Sequence, residues 1–203
     1  MSAPPRTPNA ERSHTTRTRL MEATVECLAE LGWSGTTTTV IAERAGVSRG
    51  AQLHHYPTKA ALVVAAIEHL AILRRDEMGR AAEMLPAGPN RTPAVLELVA
   101  AYHTGPLFTA ALEVWVVART DPALREALVP VEAKVGREVH RLTVQMLGVD
   151  ESVPGTREAV QATLDLMRGL GVANLLTDDS IRRQGLLRQW AITLDNALEA
   201  ARG

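Results

Sequence analysis

Between Ser48 and Pro57 the chain reads SRGAQLHHYP, which places a cation, Arg49, an amide, Gln52, and two imidazoles, His54 and His55, on one short segment. These groups suit nucleic acid. A glutamine can bond adenine through two hydrogen bonds, and an arginine can do the same to guanine. The small pair Gly50-Ala51 would let the backbone come close to a surface, and Lys59 stands where a side chain could reach a phosphate. No other chemistry is spelled out. His14, His69, His103 and His140 are not spaced with cysteine or carboxylates as metal ligands are. There is no phosphate-cradling glycine loop, dinucleotide fingerprint, nucleophile elbow or telling pair of carboxylates. No catalytic residue, metal or cofactor is assigned, and enzymatic activity is not expected.

Two short helices around a tight turn must position these groups. Thr37 is suited to cap the first, because its hydroxyl can accept from an unpaired backbone N–H. Ile41, Ala42 and Ala45 give that helix one apolar face. Gly46 then supplies the left-handed residue that a sharp stop requires. Val47 packs inside the turn, and Ser48 caps a second helix from Arg49 to about Tyr56, which Pro57 ends. Two helices over such a turn form a helix-turn-helix, whose second helix enters the major groove. An ordinary helical hairpin in a core has the same outline. The polarity of Arg49, Gln52, His54 and His55 argues against it.

The spacing resembles the DNA-binding domain of the TetR (tetracycline repressor) family. That pattern has a glycine ending helix one, a Thr-Thr pair, Ile-Ala-x-x-Ala-Gly-Val-Ser, a glycine two residues on, an aromatic at the end of the recognition helix and then a lysine. Here these are Gly32, Thr36-Thr37, Ile41-Ala42, Ala45-Gly46-Val47-Ser48, Gly50, Tyr56 and Lys59. The match runs from about Arg17 to Leu70; beyond it only the all-helical plan is shared. The resemblance implies a dimeric helical regulator, usually a repressor, released from a palindromic double-stranded operator by a small-molecule effector in the C-terminal domain. Arg49, Ala51, Gln52 and His54 would face base edges. Thr37, Ser48, His55, Tyr56 and Lys59 would hold phosphates or position the helix, and Gly50 would let the backbone approach the DNA. The chain departs from the family at Gln52-Leu53, where Leu-Tyr is usual. Either Gln52 packs inward or the helix is rotated and Gln52 reads a base.

Composition is compatible with this reading. The 203 residues are 46% hydrophobic but only 3% aromatic, with formal net charge −1. Alanine and leucine favour helices. Residues 1–62 hold seven Lys/Arg against five Asp/Glu, and the remainder fifteen against eighteen, so the basic excess lies at the N-terminal end. No apolar run is long enough for a membrane span, and no apolar leader segment is evident, so a cytoplasmic location is expected. Cys27, the single cysteine, lies on an apolar stripe and reads as packing.

The expected architecture is all-α with about nine helices: a disordered tail over 1–12, a helix-turn-helix domain over 13–73 and a ligand-binding and dimerisation domain over 74–203. In the tail and just after it, Arg6, Arg12, Arg17 and Arg19 could form an arm along the phosphates. Helix one is expected over Ser13–Leu31, closed by Gly32. A long fourth helix runs from Lys59 to about Leu85, and Thr92-Pro93 and Asp121-Pro122 are cap-plus-proline starts. The helix around Val114–Val117 should be buried. Pro130 should kink or split its helix. The last two helices are expected over 156–176 and 180–202, with dimer seams at Val160, Leu164, Met167, Leu170, Gly171 and Leu175, and at Ile181, Leu187, Trp190, Leu194, Ala197 and Leu198. The ligand-binding residues are unknown; Tyr102, His103, Phe108, Glu113, Trp115, Arg119, His140, Met146 and Met167 could line a pocket. Two rival readings remain: a small-molecule-binding helical protein or enzyme with a vestigial DNA-binding head, and a protein–protein adaptor.

Overall fold

The computed structural model describes residues 8–201, all helix and connection. The helices are α1 (Pro8–Gly35), α2 (Thr38–Ala45), α3 (Arg49–His55), α4 (Lys59–Ala82), α5 (Arg91–Tyr102), α6 (Pro106–Ala118), α7 (Pro122–Leu147), α8 (Thr156–Ala173) and α9 (Ser180–Ala200). Helix α1 starts five residues before the expected Ser13, so part of the expected tail is helical. Arg12, Arg17 and Arg19 ride on that helix, while Arg6 lies outside the described residues. No single helix is long and apolar enough to cross a membrane among the described residues.

The chain divides into two compact units, residues 1–71 with 109–131, and residues 72–108 with 132–203. The first holds the helix-turn-helix. Leu20, Ala23, Cys27, Ile41, Ala45 and Leu62 form its core, with Val40, Val47 and Tyr56 packed against it. The apolar positions of α1 and α2 therefore face each other, as their spacing requires. Arg44 ties the two helices from outside, 2.7 Å from Glu30. Leu31, placed on the α1 stripe by its spacing, instead faces solvent, because Gly32 leaves the helix at φ 64 and the stripe ends there.

The second unit is built on α5, α8 and α9 with parts of the neighbouring helices. Its core includes Val95, Leu96, Val99, Val160, Met167, Leu187 and Leu194. This corrects the expected dimer seams: Val160, Leu164, Met167, Leu170, Leu187, Leu194 and Leu198 are buried within the one chain. Gly171 does serve close approach, but to His103 and Phe108 of the same unit, whose atoms would collide with a Cβ. The exposed apolar side chains of these helices and their connection are Val172, Leu175, Leu176, Ile181, Leu186 and Ile192.

Three further expectations change. Helix α5 starts at Arg91, after Asn90, whose side chain makes no capping bond, and not at Thr92, whose hydroxyl donates to Asp195 Oδ1 at 2.6 Å instead. Helix α6 is not buried all round: Val114 is fully covered while Val116 is 66% exposed. Pro130 does not split α7. Proline frees the carbonyl four residues earlier; that residue, Glu126, is exposed, as is Pro130, so water can satisfy the group. The α7 start at Asp121 holds, with Leu124 N–H donating to Asp121 Oδ1 at 3.0 Å.

Candidate nucleic-acid interface

The local chemistry of the helix-turn-helix follows the sequence. Val40 N–H donates to Thr37 Oγ1 at 3.2 Å, and Ala51 N–H donates to Ser48 Oγ at 3.2 Å. Gly46 takes φ 60, ψ 40 and its N–H closes α2. A Cβ on Gly46 would meet only the movable end of Arg19, so a side chain there would be opposed chiefly by backbone strain. The hydroxyls of Thr37 and Ser48 are thus bound to helix ends, and their first role is to set where α3 begins.

Helix α3 exposes Arg49, Gly50, Leu53 and His54, half-covers Ala51 and His55, and buries Gln52. Arg49 makes no ion pair among the described residues and projects from the first turn. A Cβ on Gly50 would meet nothing within 4 Å, so internal packing does not demand glycine there. His54 and His55 meet edge to face with centroids 5.3 Å apart.

Gln52 does not face base edges. It is 0% exposed, and its Nε2 donates to the Tyr56 carbonyl at 2.6 Å. Its Oε1 is buried without a hydrogen-bond partner. Of the two alternatives, inward packing holds: position 52 lies one turn before Tyr56, on the covered face of α3. The next residue, Leu53, is 44% exposed, so an apolar side chain stands on the outer face.

Lys59 is also placed differently from a free phosphate ligand. Its ammonium lies 3.8 Å from the centroid of the Trp33 ring and donates to the Trp33 carbonyl. Burial lowers its pKa. Trp33 N–H in turn donates to Glu113 Oε2 at 3.1 Å. In this conformation Lys59 fastens the start of α4 to the end of α1.

Arg17, one of several candidate arm residues, acts through its charge on both His55 and Tyr56. It is an exposed cation beside the end of α3. Burial first, then His54 and Arg17, lower the pKa of His55, which favours the neutral ring in the absence of DNA; either protonation state offers a phosphate an N–H donor. Burial raises the Tyr56 pKa, and its ring packs against the domain core. Periodicity could have singled out Arg17, since a helix starting before it puts it one turn from Leu20 and Met21.

The pocket candidates are scattered. Glu113 is engaged with Trp33, and His140 Nε2 lies 2.6 Å from Glu151 Oε1. Met146 and Met167 are core residues, and Arg119 is exposed. Tyr102, His103 and Phe108 do form a ring cluster, with centroids 5.3 and 5.4 Å apart.

A capped, outward-facing second helix over a glycine turn, carried on an all-helical chain, defines a helix-turn-helix DNA-binding protein. Residues 20–66 match the profile of the bacterial regulatory proteins of the tetR family. The transcriptional regulator CymR of Pseudomonas putida is 33% identical over 186 residues, covering 89% of both chains. The repressor AcnR of Corynebacterium diphtheriae is 31% identical over 109 residues, covering 54% of this chain and 53% of that one. A transcriptional regulator structure from Pseudomonas aeruginosa PAO1 superposes with TM-score 0.70 at 25% identity, covering 97% of this chain and 95% of that one. The multidrug binding protein EbrR, complexed with imidazole, shares the fold at TM-score 0.58 and 21% identity, covering 86% and 93%. The chain belongs to the TetR family of helix-turn-helix transcriptional regulators.

Proposed function

We propose that this regulator is a repressor that binds a palindromic operator as a homodimer and leaves it when a small-molecule effector binds residues 74–203. Arg49, Ala51 and His54 read base edges, with Leu53 offering apolar contact to a thymine methyl. Gly50 lets the backbone close on the duplex. Arg17 and His55 meet phosphates. Thr37, Ser48, Tyr56 and Lys59 hold the helix in place. The observation that carries this reading is Arg49 standing exposed at the start of a capped α3, with no ion-pair partner among the described residues.

Dimerisation is supported by the apolar side chains left uncovered on α8, α9 and their connection. Ile181 is 86% exposed and Leu176 95%, and a two-fold protein matches a palindromic site.

The test uses fluorescence anisotropy on a palindrome taken from DNA next to the gene, against scrambled duplex. Arg49→Ala is expected to change the preferred sequence and to cost about 1–3 kcal/mol on the operator. Equal loss on both duplexes would remove Arg49 from base recognition. Absence of salt-dependent binding to any duplex, together with a copurifying small molecule, would favour the vestigial-head reading.

A further inference from the structure

The faces of α7 and α8 that carry residues 137, 140, 141 and residues 157, 161, 164, 165, 168 line a cleft of about 580 Å³. Each set repeats at three- and four-residue intervals, so each is one face of one helix. The volume suits a small molecule, but the lining is far more charged than an ordinary apolar ligand pocket. Four guanidinium groups, those of Arg137, Arg141, Arg157 and Arg168, stand against two carboxylates, Glu151 and Asp165. Glu138, just outside the lining, pairs with Arg141, so the excess that remains is one positive charge. It sits in a region, residues 63–203, where acids outnumber Lys/Arg by eighteen to fifteen.

The internal pairs do not use up this charge. Asp165 holds Arg168 at 2.5 Å, and Arg141 lies 2.9 Å from Glu138. Glu151 is engaged by His140 at 2.6 Å, and Arg157 reaches it only at 3.5 Å. Arg137 makes no ion pair of its own among the described residues. The Arg137 guanidinium is therefore open to a ligand, and Arg157, held through one nitrogen at 3.5 Å, keeps further N–H donors for it. Guanidinium binds carboxylate and phosphate through paired hydrogen bonds, and a cleft lined by one sign of charge concentrates the opposite ion.

We propose that the α7–α8 cleft binds a small multiply charged oxyanion, a di- or tricarboxylate or a phosphate ester, and that this anion is the effector. Arg137 and Arg157 grip it from opposite walls, and Gln161 adds a neutral donor. The effector role rests on the ligand-responsive reading above; the binding site does not.

Isothermal titration calorimetry on the full chain at fixed ionic strength tests this with citrate, inorganic pyrophosphate and singly charged benzoate. Citrate or pyrophosphate is expected to bind one per chain, at least tenfold tighter than benzoate, and the tighter of the two identifies carboxylate or phosphate as the chemistry. The R137Q/R157Q variant is expected to lose at least tenfold in affinity while keeping its circular dichroism and its operator affinity. Arg137→Lys, which keeps the charge but not the fork, should fall between. Binding of none of the probes, or equal binding by wild type and the double variant, overturns the site. Binding that leaves operator affinity unchanged overturns the effector role. Operator affinity without any anion is read separately, so its failure alone strikes the repressor reading and not the cleft.

Discussion

Lys59 stands over Trp33 with its ammonium 3.8 Å from the ring centroid, and the same ammonium donates to the Trp33 carbonyl. A cation committed in this way contributes through a cation–π contact and a hydrogen bond, together about 1–3 kcal/mol for a half-buried site. Lys59→Ala is expected to lower folding stability by that order in a urea titration. Its salt slope on DNA should stay unchanged, whereas Arg17→Ala should reduce the slope by about one phosphate contact. A drop of about one for Lys59→Ala would mean the ammonium swings out to the duplex.

Gly50 has open space around it. Alanine is the better helix former by roughly 0.8–1 kcal/mol in a helix interior. Gly50→Ala should therefore leave stability unchanged or raise it. If the backbone at Gly50 lies against the duplex, the same change weakens operator binding. Thermal melts and anisotropy on one variant separate the two effects, and full operator affinity would show that the duplex does not approach this residue.

Gln52 satisfies one end of its amide and buries the other, Oε1, without a partner. A buried orphan costs about 1–3 kcal/mol, while a typical hydrogen bond contributes about 1 kcal/mol net. Gln52→Leu, similar in volume and apolar, is expected to stabilise the fold by about 1 kcal/mol with little change in base preference. A loss of stability would show that the Nε2 bond to Tyr56 matters more than the orphan.

His103 is 5% exposed, and its Nδ1–H donates to the Val99 carbonyl at 2.9 Å. Burial, the largest influence, pushes its pKa below the ordinary 6.5. The unfolded chain therefore takes up a proton before the folded one does. The stability tied to the neutral ring is full above pH 6.5 and falls as pH drops through the folded pKa. Denaturation midpoints from pH 8 to 5 should decline below 6.5 in the wild type and decline less in His103→Asn. Parallel curves would assign the acid sensitivity elsewhere.

Local signals carried much of this molecule. Thr37, Ser48, Gly46 and Asp121 act through atoms within a few residues of themselves, so capping and turn chemistry were legible in the chain. The apolar spacing of Leu20, Ile41 and Leu62 predicted the head's core for the same reason. The match of Thr36 through Lys59 to a family pattern carried the rest of the functional reading.

Spacing alone could not say which neighbour a long side chain meets. Spacing is compatible with Lys59 on a phosphate and with Gln52 facing either way, because each outcome fits one helix; Trp33, 26 residues away in sequence, engages the first and the covered face of α3 takes the second. Val160, Leu164, Leu187 and Leu194 form stripes that fit an internal core or a partner equally well, since burial has no sign of who does the burying. Periodicity determined that α7 and α8 each have a charged face. Only the packing of the chain brought Arg137 and Arg157 to one cleft, because long-range charge proximity depends on where helices are set down and not on the order of residues within them.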